Sequence, residues 1–239
     1  MGSEEADIDA ATESIKSVYG PEGNRDFFVN ETPPKLVHLD GFWIDVTEVT
    51  RRAFGWGLKP GTKTLAEARG FESAYRGRGE FDARQGGSWR SPTWPEPLPG
   101  NDGVLPVTSV THKEARAHCQ ALGLDLPTGA QWERAARGPE GQRYPWGSAE
   151  PSCELANAGY FPQEDFCEKR PVTVGSRPEG KSPYGLLDVA GNVWEWVEDG
   201  YSPNYNSTPI DGSAAEGVGA SKIVRGGGWR AGPETLTST

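Results

Sequence analysis

The side chains best suited to redox or metal chemistry in this sequence are three cysteines and three histidines. Cys153 and Cys167 stand 14 residues apart and bracket a short acidic loop. Joined, with Cα atoms within about 7 Å, they would stabilise the fold by roughly 3 kcal/mol in the chain-entropy view. That pairing implies an oxidising, extracytoplasmic compartment. Two unpaired thiols would fit a cytoplasmic one equally well. Zinc is the weaker alternative, since no CxxC occurs and the nearest His is remote. Cys119 falls on the apolar side of a predicted helix and reads as a buried thiol. His38, His112 and His118 are too spread to form a facial triad for iron and read as structural or solvent-facing. GGSW at 86–89 is a glycine-rich turn, not a nucleophile elbow, and no phosphate-binding glycine loop occurs.

The elements that must position these residues are short. LVHLDGFWIDVTEVT reads as a strand, with Thr50 capping a short helix through Arg51–Phe54. A second helical stretch covers 64–70, and 76–106 reads as a long ordered loop. Thr111 and Glu114 form a capping box for a helix whose inner face is Ala115, Cys119 and Leu122, with Gly123 at its end. Thr128 and Gln131 open another, with Trp132, Ala135 and Ala136 facing inward and Gly138 ending it. Beyond it come turns, short strands and aromatics.

Composition agrees with a loop-rich fold. Only 35% of the residues are hydrophobic, so nine Trp, eight Phe and seven Tyr must supply the core. Thirty-two Gly and 20 Pro favour turns over long elements. We read one α+β domain over 1–239, opening with a polar loop over 1–33. The net charge of −10 argues against nucleic acid and anionic membranes as partners. No apolar run is long enough to span a bilayer, and the acidic start MGSEEADIDAATES shows no signal peptide.

Several strings, in order, resemble the formylglycine-generating enzyme (sulfatase-modifying factor) family. They are FWIDVTEVT, PVTSVTHKEARAHCQALG, LDLPTGAQWERAARG, RYPWG, YGLLDVAGNVWEWVEDG and VRGGGW. GNVWEW followed by RGGGW at this spacing is the specific part. The resemblance implies a C-type-lectin-like α+β fold with little regular secondary structure. Family members carry an M-G-S turn inside the domain and continue past RGGGW. Here that turn is Met1-Gly2-Ser3, so the chain reads as a fragment at both ends or as a shortened member.

The resemblance also implies calcium. By position it gives side-chain ligands at Asp188 and Glu195 and backbone carbonyls at Gly191 and Val193. Hard oxygens of this mixed kind suit Ca²⁺. A second loop, LANAGYFPQEDF, gives Asn157, the carbonyl of Ala158, and an acid at Asp165 or Glu164. The bland alternative is that these acids are surface charge around a tryptophan core.

Active members hold copper(I) with two Cys after RGGSW, whereas the last Cys here is Cys167. Copper and formylglycine chemistry are therefore not expected of this chain. The resemblance implies a non-catalytic binding or accessory module, with Trp194, Arg225 and Trp229 lining an aromatic cleft for a protein or peptide ligand. The alternatives are a fragment of a copper-dependent oxidase, or a structural subunit whose edges a partner completes.

Overall fold

The computed structural model describes residues 1–4, 8–9, 12–13, 31–77, 80–93, 102–160 and 165–238. Four α-helices carry side-chain caps. In α1 (Arg51–Gly57), Thr50 Oγ1 accepts from the Ala53 N–H at 3.1 Å. α2 (Leu65–Arg69), α3 (His112–Ala121) and α4 (Gly129–Arg137) each open with a full capping box. The boxes pair Thr64 with Glu67, Thr111 with Glu114 and Thr128 with Gln131. Such caps matter in helices this short, where orphan backbone groups are a large share of the total.

The strands are paired antiparallel in three two-stranded ribbons. β1 (Phe71–Gly77) pairs with β2 (Glu80–Gln85), β3 (Gly159–Tyr160) with β4 (Asp165–Phe166), and β5 (Glu195–Gly200) with β6 (Lys222–Arg225). In the last ribbon Glu195 faces Arg225 and Trp196 faces Val224, before a register shift. α4 packs Trp132, Ala135 and Ala136 against Leu186, Val189 and Val197, as the sequence pattern predicts. Asp199 fixes the approach, accepting from the Gly129 N–H of α4 at 2.6 Å and from the Ala215 N–H at 3.0 Å. A second cluster joins Tyr144, Ala156, Ala158, Ala190 and Leu236.

Three expectations need correction. Residues 36–50, LVHLDGFWIDVTEVT, form no strand, and only Thr50 makes an isolated bridge, to Pro106. Their neighbours are irregular loops: His38 N–H donates to Ile210 O at 2.8 Å, and Leu36 and Trp43 are exposed. The 76–106 stretch is not loop throughout, because its start completes the β1–β2 hairpin. The inner face of α3 is not Ala115, Cys119 and Leu122. Its buried residues are His112 and His118, and Leu122 is exposed. His118 packs at a tilt against Phe54 of α1, centroids 5.1 Å apart, and His112 Nε2–H donates to Val197 O of β5 at 3.1 Å. Ala115 and Cys119 instead line an open cavity. Of the histidines, only His38 is solvent-facing; His112 and His118 are buried, and that burial lowers both imidazole pKa values.

Cys153 and Cys167 are joined as a disulfide, Cα atoms 5.2 Å apart, closing the loop that carries the β3–β4 ribbon. No helix among the described residues is long and apolar enough to cross a membrane.

Replacing both Cys153 and Cys167 with Ser should cost about 3 kcal/mol and lower the melting midpoint by roughly 6–12 °C. Calorimetry of the double variant checks this, and an unchanged midpoint would show that the bridge does not constrain the unfolded chain.

Candidate functional site

A cavity of about 770 Å³ opens between α3, the GNVWEW segment and the RGGGW turn. Trp194 and Trp196 enter it from the start of β5, Trp229 from the turn after β6. The turn is clasped to the loop: Trp229 N–H donates to Asn192 O at 2.8 Å, and Gly191 N–H to Gly226 O at 2.7 Å. Trp196 is held by its Nε1–H on Val110 O at 3.2 Å and by an edge-on contact with His112. The Arg230 guanidinium lies over the Trp229 ring, 5.3 Å from its centroid. On the opposite wall buried Glu72 accepts from Thr93 N–H at 2.9 Å and from Ser109 Oγ–H. Ser109 holds a left-handed φ of 60° there. Cys119 is the cavity's thiol, and burial followed by the nearby Asp45 and Asp125 raises its pKa, which disfavours the thiolate.

Arg225 does not line this cleft. Its guanidinium is buried beneath it, donating from Nη2 to Tyr205 Oη at 2.7 Å. Arg225 is paired with Glu195 in the β5–β6 register but is not among the residues that line the cavity. Burial raises the Tyr205 hydroxyl to about 12, with Arg225 opposing. Arg230 supplies the cleft cation instead.

Beside the cleft, the 188–195 loop gathers acids. Asp188 sits at φ 59° and accepts from Gly175 N–H through Oδ2. Glu195 accepts from Trp132 Nε1–H at 2.6 Å through Oε2, leaving Oε1 available. Glu48, from a distant part of the chain, accepts Asn192 Nδ2–H at 2.9 Å and Val193 N–H at 3.1 Å. Burial raises the Glu48 carboxyl well above its usual range, and Asp188 and Glu195 push it further. Burial also raises Asp188, and it raises Glu195 to about 7 against the Trp132 hydrogen bond. Burial thus raises all three acids, Asp188 adds to the effect on Glu48 and Glu195, and Glu195 adds to that on Glu48, a conflict that a cation would offset.

The Asn157 loop lies against this one. Asn157 is 1% exposed, and its Nδ2 donates to Arg170 O at 3.0 Å and to Asn192 Oδ1 at 3.1 Å. Those two acceptors fix the amide, leaving Asn157 Oδ1 buried and without a partner. An orphaned hard oxygen is a feature that a calcium ion would satisfy. The carbonyl of Ala158 accepts from Cys167 N–H at 3.0 Å. Asp165 pairs with Tyr160 through its backbone, but its side chain and all of Glu164 lie outside the described residues. Among the described residues no three His, Cys, Asp or Glu side chains form a ready-made cage. An ion on either loop would therefore need carbonyls, as the mixed donor set provides.

The structure thus brings Asp188, Gly191, Val193 and Glu195 onto one loop, packed on Asn157 and Ala158. Two participants were missed in the sequence, Glu48 and Asn192. The signal for Glu48 was an acid within a β-branched run, VTEV, and for Asn192 an amide between Gly191 and Val193.

A loop-rich α+β domain with the GNVWEW loop clasped to the RGGGW turn is thereby defined. Residues 5–239 match the sulfatase-modifying factor enzyme 1-like domain family, and the chain belongs to it. It is 32% identical to the formylglycine-generating enzyme of Streptomyces coelicolor, over 83% of this chain and 71% of that one. It is 36% identical to the hercynine oxygenase of Mycolicibacterium smegmatis over 59% of this chain but only 33% of that relative. It is 33% identical to the mouse inactive C-alpha-formylglycine-generating enzyme 2, over 72% of this chain and 63% of that one. The fold is shared with PvdO from Pseudomonas aeruginosa, TM-score 0.66 at 22% identity, covering 88% of this chain and 77% of that one.

Gly191 has φ +89°, and a Cβ there would lie 2.7 Å from Asn157 O. Gly191→Ala should cost about 2 kcal/mol or more from left-handed strain and overpacking. Urea unfolding reads this directly, and an unchanged midpoint would show that the two loops are not tightly apposed.

Proposed function

We propose that this chain is a calcium-stabilised, non-catalytic binding or accessory module of its family, taking a protein or peptide ligand in the aromatic cleft. The observation that carries this reading is the thiol inventory beside an open cavity. Cys153 and Cys167 are consumed by their disulfide, and Cys119 stands alone with its pKa raised. Copper(I) needs soft thiolates, and the residues present do not fit that ion. The cleft itself keeps what recognition needs: tryptophan faces, with the charged or polar Arg230, Glu72 and Ser109 around them. Calcium fits the neighbouring loops. Asp188 and Glu195, with the Gly191 and Val193 carbonyls, would hold it on one, and Asn157 Oδ1 with the Ala158 carbonyl on the other. The ion would supply charge compensation for the buried acids and no redox chemistry. The disulfide supports an oxidising, extracytoplasmic location.

A second reading is favoured by the 32% identity to the Streptomyces coelicolor enzyme, of which this chain spans 71%. On that reading the sequence is part of a copper-dependent oxidase that modifies sulfatase cysteines, its thiols lying in further sequence. A Cys pair encoded downstream of Thr239 would establish it.

The chain with this sequence should produce no aldehyde on a sulfatase-type cysteine peptide, with or without copper. Mass spectrometry of the peptide checks this, and aldehyde above a no-protein control would overturn the accessory reading. Calcium at a hundredfold excess over its Kd should add about 2.7 kcal/mol, raising the melting midpoint by roughly 5–10 °C over chelator. Glu195→Gln should remove much of that difference. Equal midpoints in millimolar calcium and in chelator would show that these acids hold no calcium.

A further inference from the structure

The two candidate calcium loops are hydrogen-bonded to each other through one residue, Asn192. Asn192 is fully buried, and all its polar atoms have protein partners. Its Oδ1 accepts from Asn157 Nδ2–H at 3.1 Å and from Val172 N–H at 2.8 Å. Its Nδ2 donates to Glu48 Oε2 at 2.9 Å and to Val172 O at 3.3 Å. Its backbone N–H donates to Asn157 O at 2.8 Å, and its own carbonyl accepts from Trp229 N–H. No Asn192 atom is left over to ligate an ion, so it is a positioning residue.

Resting on the calcium reading above, we propose that Asn192 couples the two loops, so that calcium on one raises the affinity of the other. Asn157 carries the coupling at one end. Whatever holds its Oδ1 also fixes its Nδ2, and with it Asn192 Oδ1. Asn192 then aims its Nδ2 at Glu48, which holds the Val193 N–H beside Glu195. The loop that gains is one with reason to relax, since Asn192 and Asp188 hold left-handed φ of 55° and 59°. Order imposed through one loop need not be imposed again for the other, which gives positive cooperativity. The coupling is reciprocal. It extends to the cleft, because the same Asn192 carbonyl fixes the backbone of Trp229.

The test is isothermal titration of the chelator-stripped full chain with calcium chloride. Wild type is expected to bind two ions with a Hill coefficient above one. Asn192→Gly keeps the left-handed backbone and removes the amide. It should still bind two ions, but independently. Glu195→Gln, which needs no change at the relay, should bind its remaining ion at least about fivefold more weakly than the wild-type midpoint. Two independent wild-type sites, cooperativity retained in Asn192→Gly, or a remaining site within about twofold of wild type would each overturn the coupling and leave the calcium reading intact. A wild type that binds no calcium overturns both.

Discussion

Asn192 satisfies Glu48, Asn157 and Val172 with one buried amide, and the geometry of the site follows from that arrangement. A carboxylate as buried as Glu48 needs donors around it, or it protonates or expels itself toward water. Its donors are the Asn192 amide and the Val193 N–H, both on the loop that carries Asp188 and Glu195. Desolvating Glu48 thus fixes the shape of a loop more than a hundred residues away in sequence. The same loop presents Trp194 to the cavity on its far side. Polar satisfaction on one side and aromatic display on the other are a single constraint. Close backbone approach is the condition for it, and Gly191 and Gly228 meet that condition. A Cβ at Gly228 would lie 3.2 Å from Trp194 Cδ1.

Beneath the cleft a second buried charge system plays a supporting part. Glu133 on α4 receives the Gly2 N–H at 2.9 Å and Arg137 at 3.3 Å. Arg225 and Tyr205 lie in the same region, where burial disfavours the charged guanidinium and Tyr205, then Glu133, favour it. Breaking one member of such a set leaves an uncompensated charge, so the set holds position more than it adds net stability. It anchors β6 from below, while the RGGGW turn clasps the loop from above. Arg225 thus belongs to the foundation of the cleft and Arg230 to its surface. The two differ by five positions in a strand-and-turn segment, and the sequence offers little to separate them.

Much of the fold was legible because its signals are local. Capping boxes at Thr111 and Thr128 need only residues three apart, and both helices start there. The Cys153–Cys167 pairing was open to reading because the loop between them is short. The strand expected over LVHLDGFWIDVTEVT failed because a strand is defined by a neighbour, and the neighbours here are loops. The face of α3 was misread because its apolar side borders an open cavity, so His112 and His118 take the packed positions. Glu48 and Asn192 could not be joined by spacing, since their contact is entirely tertiary. The loop acids were legible only through resemblance, because two carboxylates seven positions apart in a non-periodic segment have no geometric reading of their own.

The relatives carry three different printed names, one of them marked inactive, on recognisably the same sequence. Function in such a family resides in what is placed on the scaffold and not in the scaffold itself. Here the cleft walls are positioned by Asn192, Glu48 and backbone clasps, none of which is a redox group. Loss or gain of a thiol pair beyond the RGGGW turn would leave those contacts untouched. Conversely, disturbing the Asn157–Asn192 contact would misplace Trp229 whether or not chemistry occurs nearby. The shape of the cleft therefore does not depend on a thiol pair. Gly191, Asn192 and Glu48 set that shape through close backbone approach and buried hydrogen bonds, whatever chemistry the cleft carries.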